Sequence, residues 1–182
     1  MIGLGTLINT VAVVIGGLIG LCLKNGIKKE LQDGLMHACG VATIFIGGSG
    51  ALAKMLVMRD GKLETEGTML LVLSLVIGVA LGEWLNIEKR MDGIGEKIKA
   101  AVKAQNDHQF VDGFVNVSLI ICVGAMAIVG SIQDGISGDY SMLAAKAVLD
   151  LVIVLIFAAT YGMGAVFSAV PILVYQGSIT LL

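Results

Sequence analysis

The sequence predicts an all-α fold: one transmembrane domain over residues 1–182, a polytopic bundle of about six spanning helices. Two compositional facts and one pattern predict it. Of the 182 residues, 57% are hydrophobic and only 14% are charged, and the mean hydropathy is +0.93. A soluble domain carries about 25% charged residues, because its surface must face water. The pattern is a recurrence of apolar runs about 20 residues long, the length that crosses a hydrocarbon core. Backbone groups inside lipid must pair within their own segment, so runs of this kind are helices.

A window of about 19 residues places the runs at 4–23, 34–57, 68–87, 114–133, 142–162 and 164–182. The first begins MIGLGTLINT, with no basic region ahead of it and no small-residue cleavage site. It reads as a spanning helix and not as a removable signal peptide. Between the first and second runs lie Lys24, Lys28 and Lys29, and 88–110 carries Lys89, Arg90, Lys97, Lys99 and Lys103. Between the second and third runs, Arg59 and Lys62 are outnumbered by Asp60, Glu64 and Glu66, and the turn 134–141 has no base. The positive-inside rule then places the first two connections in the cytoplasm and the N-terminus outside.

The long connection EKRMDGIGEKIKAAVKAQNDHQF has Met91, Ile94, Ile98 and Val102 at helical spacing, with lysines on the other face. It reads as a basic amphipathic helix on the anionic inner leaflet, or as a solvated basic linker.

Several segments echo one another. Gly48-Ser49, Gly130-Ser131 and Gly177-Ser178 close three runs, and VIGxxxG occurs at Val14 to Gly20 and at Val76 to Gly82. These echoes suggest three tandem helical hairpins with the basic linker inserted in the second. The pairs Gly16/Gly20 and Gly78/Gly82 are small-xxx-small motifs expected to let helix backbones approach closely. Gly47-Gly48 with Gly50 suggests a broken helix lining a cavity, and Pro171 suggests a kink in the sixth run.

The candidate site comes from polar residues placed where lipid disfavours them. In KAVLDLVIVLIF, Asp150 sits about eight residues, or roughly 12 Å, into the fifth run. An ionisable group in a membrane helix costs about 2.5–3.5 kcal/mol on insertion scales and is a functional candidate by default. Lys146, four residues earlier, shares its helical face, so a purely structural ion pair fits the spacing equally well. Asn9 with Thr10, then Ser131, Gln133 and Asp134, then Asp139 with Tyr140, and finally Gln176, Ser178 and Thr180 map to the same outer third. The candidate ion- or solute-binding set is therefore Asn9, Ser131, Gln133, Asp134, Asp139, Lys146, Asp150, Gln176 and Ser178. Together they outline an outward-facing vestibule for a cation or small polar solute. Simple solvation of the turn and hydrogen bonding by Asn9 between helices would explain the same residues.

Other chemistry finds no support. His37 and His108 belong to no set with metal-ligand spacing, so neither a metal nor a cofactor is expected. Cys22, Cys39 and Cys122 are odd in number and form no CxxC, and each reads as a small buried hydrophobe. HExxH, GxSxG in a strand-turn-helix setting and the P-loop are missing, so no catalytic residue is assigned and no enzyme is expected. A net charge of −2 with 5% aromatic residues predicts no nucleic-acid partner. The expected partners are the bilayer and a small ion or polar solute, with a homo-oligomer left open. Trp84 reads as an interfacial anchor.

GTLINTVAVVIGGLIGL, NIEKRMDGIGEKIKA and FVNVSLIICVGAMAIVGSIQDGISGDYSMLAAKAVLD, followed by QGSITLL, resemble domain-of-unknown-function family 554, the YdfK/YqgA-like bacterial inner-membrane proteins. The resemblance runs from residue 3 through QGSITLL. It implies a multi-pass membrane protein, often assumed to be a transporter, and supplies neither substrate nor site residues. Family members continue past QGSITLL into further hydrophobic sequence, so a chain ending at Leu181-Leu182 is expected to be truncated relative to the family. The leading expectation is a transporter or channel in the inner membrane. The alternative is a non-transporting membrane module that acts through helix association, as an assembly or regulatory partner.

Overall fold

The computed structural model describes residues 2–23, 27–59, 61–101, 109–122 and 124–182, with the backbone alone at Ile87, Glu88 and Met91. Lys24, Asp60, Lys103, Val102 and His108, which entered the reading of the connections, lie outside the described residues. The elements in order are α1 (Leu4–Cys22), α2 (Lys29–Met55), β1 (Leu56–Arg59), β2 (Lys62–Thr65), α3 (Thr68–Leu85), α4 (Ile87–Ala101), α5 (Phe110–Cys122), α6 (Ala125–Ser137), α7 (Ser141–Tyr161), α8 (Met163–Phe167) and α9 (Ala169–Thr180). The protein is thus an all-α polytopic bundle apart from one hairpin.

Five stretches are long and apolar enough to cross a membrane: α1, α2, α3, α7 and Met163–Thr180. The expected fourth run, 114–133, is instead two helices, α5 and α6, bent by 59°. It makes a sixth span only if the bent pair counts as one. Gly124, with extended backbone (φ −157°, ψ 144°), lies between the two helices and precedes α6. Glycine-rich α2, by contrast, runs unbroken past Gly47, Gly48 and Gly50, which corrects the expected break there. The last span is interrupted near Pro171, as expected: α8 ends at Phe167 and α9 begins at Ala169, with the joint at Ser168. Pro171, in the first turn of α9, has no N–H to donate to the Phe167 carbonyl four residues back.

Contacts between helices in lipid come from close packing and hydrogen bonds, since lipid tails are as apolar as the side chains. The tightest pairing obeys that logic. A methyl group added at Gly16 or Gly20 would collide with the backbone carbonyls of Leu151 and Leu155, so α1 lies directly on α7. Gly164 is seated in the same way on the Phe110 carbonyl, and Gly135 on that of Thr180. These seats tie α8 to the start of α5 and α6 to the end of α9. Between them lies a core of Val13, Val117, Ile121, Val154, Ala158, Ala165 and Ile172. Phe110, Phe114 and Val115 form a second cluster, against which Ile98 of α4 packs.

The linker helix α4 is amphipathic as expected. It also packs on protein, because Gly95 abuts the Phe114 ring and leaves Ile94 exposed. The hairpin β1–β2 pairs Leu56 with Thr65 through Arg59 with Lys62, and Gly61 at φ 74° makes its turn.

Two expectations about packing fail. Sequential helices do not pair as three hairpins in the contacts that dominate the bundle, which join α1 to α7, α5 to α8 and α6 to α9. Gly78 and Gly82 of α3 meet no atom within 4 Å, and among the described residues of α3 none is buried. Of the cysteines, Cys39 and Cys122 are buried but Cys22 is exposed.

Candidate functional site

The seats between helices bring four helix ends to one level: the starts of α1 and α7 and the ends of α6 and α9. Gly5, without a side chain, lets the start of α1 approach Leu143 and Tyr140, and Gly130 of α6 meets Leu143 as well. Polar residues near these ends therefore have only one another to bond. Asn9 Nδ2 donates to Asp150 Oδ2 at 3.0 Å and to Gln176 Oε1 at 3.2 Å. Lys146 Nζ forms an ion pair with the same Asp150 oxygen. Thr6 and Thr180 share a hydroxyl hydrogen bond of 3.1 Å. The backbone N–H of Gly5 donates to Asp134 Oδ2 at 3.0 Å, so a carboxylate from α6 caps the N-terminus of α1, where the helix dipole favours negative charge.

All of these groups are buried, including both charges of the ion pair: Lys146 is 6% exposed and Asp150 3%. Several polar atoms of this seam are buried with no hydrogen-bond partner: Asn9 Oδ1, Gln176 Nε2, Ser131 Oγ and Asp134 Oδ1. An unmet buried polar group costs about 1–3 kcal/mol, so the seam holds binding capacity that packing alone does not use.

On one side the seam meets a cleft of about 320 Å³. From α7, Lys146, Leu149, Asp150 and Ile153 line it; from α5, Ile120 and Ile121. Gly124, Ala125 and Met126 bring the first turn of α6 to its wall, and α2 adds Thr43 and Gly47. First-turn amides of a helix have no acceptor within it, and no side chain caps this one. The ion pair therefore stands between a packed polar seam and an open cleft. Its neighbour across the cleft is a helix break.

The nine candidate residues divide accordingly. Asn9, Lys146, Asp150 and Gln176 form one bonded cluster, and Asp134 and Ser131 are buried beside it on α6. Gln133 is half-buried, and its carbonyl accepts the Ser137 hydroxyl. Asp139 is exposed and accepts the Ser141 hydroxyl and amide, which hold its carboxyl below the usual range. Ser178 is exposed and donates to the Tyr175 carbonyl. The structure adds Thr6 to the seam, and Gly124 and Thr43 to the cleft. Composition could not single out Gly124 among 25 glycines. Among the described residues, no three His, Cys, Asp or Glu side chains are grouped to hold a metal ion.

Comparison with known proteins now places the chain. The profile described as "Protein of unknown function (DUF554)" matches residues 4–182. The chain belongs to the DUF554 family. Within it, the chain is similar to the uncharacterized membrane protein YdfK of Bacillus subtilis strain 168, at 32% identity over 177 residues. That alignment covers 97% of this chain and 71% of YdfK. It is also similar to the uncharacterized protein YqgA of Escherichia coli K12, at 27% identity over 183 residues, covering 95% of this chain and 71% of YqgA. No solved structure matches. The family, the described relative and the apolar helices together make this DUF554 chain a membrane protein.

Proposed function

We propose that this protein conducts a small polar solute or ion across the inner membrane, with Lys146 and Asp150 as the binding centre. The observation that carries the proposal is the placement of the ion pair. Both charges are buried, yet both line a cleft with room for a small molecule. A pair that served packing alone would be enclosed on every side, as Asn9 and Gln176 are. The helix break at Gly124 adds support, because irregular backbone at membrane depth is tolerated where it lines a cavity.

Uptake into proteoliposomes containing the purified chain, across a panel of inorganic ions and small solutes, tests this. The double substitution Lys146→Met/Asp150→Asn removes both charges together and leaves neither stranded. It should abolish flux while the protein still folds. Undiminished flux in the double variant would sink the proposal.

The N-terminus and the β1–β2 hairpin are placed outside and α4 in the cytoplasm, on the strength of Lys28, Lys29, Lys89, Arg90, Lys97 and Lys99. Single cysteines introduced into a cysteine-free chain should react with an impermeant reagent in intact cells at 62 or 137. Positions 28 and 99 should stay unlabelled; labelling at 99 reverses the orientation.

A second reading, a module that acts through helix association, draws on α2 and α3. These two apolar helices have almost no buried residues within the chain. Lipid alone also satisfies such helices, so conduction is the reading the geometry favours.

A further inference from the structure

We infer that the cleft beside Lys146 and Asp150 takes a small zwitterion with an apolar tail, an α-amino acid. Its carboxylate sits on Lys146 and its ammonium on Asp150. The inference rests on the reading of this cleft as the solute site and names the class of solute.

The first support is spare bonding capacity. The bonds that Asp150 accepts, from Asn9 and Lys146, both land on Oδ2 and leave Oδ1 unengaged. An ammonium carries three donors, and among the described residues Lys146 donates to Asp150 alone. Each partner can thus take a second, opposite charge without breaking the existing pair. The second support is charge balance. Both side chains are more than nine-tenths buried, and an isolated charge in such a place is expensive. A lone anion or a lone cation would leave the site with net charge. A zwitterion adds none, and it completes an alternating arrangement of four charges.

Shape supplies the third support. The cleft volume of about 320 Å³ lies at the small end of the roughly 300–1,000 Å³ typical of ligand sites. Beyond the ion pair its wall is made by Ile120, Ile121, Leu149 and Ile153, which suit a branched aliphatic tail. The first turn of α6, at Gly124, Ala125 and Met126, lies on the same wall, and a helix N-terminus favours the carboxylate end.

Calorimetric titration of the purified full chain at pH 7 tests the inference with three probes that share one branched tail. These are L-leucine, 4-methylpentanoate (which lacks the ammonium) and 3-methylbutylamine (which lacks the carboxylate). L-leucine should bind about tenfold or more tightly than either analogue, because each analogue forfeits a charge-assisted hydrogen bond. In Lys146→Met/Asp150→Asn, leucine binding should fall by at least the same factor. Equal binding of 4-methylpentanoate would mark an anion site, equal binding of the amine a cation site, and either result overturns the inference. So does the absence of leucine binding at millimolar concentration. Leucine binding without leucine uptake by proteoliposomes would keep the site and remove conduction. Uptake of some other solute without leucine binding would do the reverse.

Discussion

Helices α1 and α3 carry the same VIGxxxG motif and meet opposite fates. In α1 the two glycines rest on the carbonyls of Leu151 and Leu155; in α3 Gly78 and Gly82 rest on nothing described. The spans differ likewise, with 44% of α1 buried against none of α3. What separates them lies one to three turns upstream of the motif. In α1, Gly5, Thr6 and Asn9 bond to Asp134, Thr180, Asp150 and Gln176. In α3 the upstream polar residues are Thr68, which is exposed, and Ser74, whose hydroxyl donates to the Leu71 carbonyl of its own helix. Glycine pairs permit close approach, and polar pins choose the partner. In lipid, where burial of apolar surface drives nothing, the second role decides.

The strongest attack on this contrast goes through the pins. Asp150→Asn strands a buried lysine and should destabilise the protein by about 3–5 kcal/mol, read as a fall in the unfolding temperature in detergent. Adding Lys146→Met should recover most of the loss. If the single substitution melts like the parent, Asp150 does not hold α7 in place. Next come the seats of α1. Gly16→Val or Gly20→Val must push against backbone and not a flexible side chain, and should cost about 1–3 kcal/mol in the same assay. Asn9→Leu removes two donated bonds, each worth about 0.6 kcal/mol on average between membrane helices. Its loss should be near 1 kcal/mol, and a much larger one would give Asn9 a role beyond pinning. The smallest effect belongs to α3, where Gly78→Val and Gly82→Val should stay within about 0.5 kcal/mol of the parent. A loss matching that at Gly16 would mean α3 has a seat on something other than the contacts described.

The contrast also shows what could be read from residues alone. Membrane class, helix positions and the place of Asp150 along its helix follow from local hydropathy, and those expectations match the elements within a few residues at most ends. The grouping of Asn9, Lys146, Asp150 and Gln176 was legible because ionisable and amide groups in lipid must find one another. The pairing of helices was not legible. VIGxxxG looks identical in α1 and α3, and only distant residues decide which copy is used. The bend at Gly124 was hidden for a similar reason. Its neighbours are as apolar as any helix interior, whereas α2, with three glycines within four residues, runs unbroken. Glycine content weakens a helix, but tertiary partners decide where it breaks.

The cap on α1 has a consequence for biogenesis. Gly5 waits for an acceptor 129 residues downstream, and Thr6 for a hydroxyl partner 174 residues downstream. At a synthesis rate of about 5–20 residues per second, α1 spends on the order of ten seconds in the bilayer with its polar face unmatched. Docking of α1 is then late: it is made before the other helices described and waits for the last of them. A ribosome that stalls before α6 and α7 emerge leaves Asn9 and the α1 amides facing lipid.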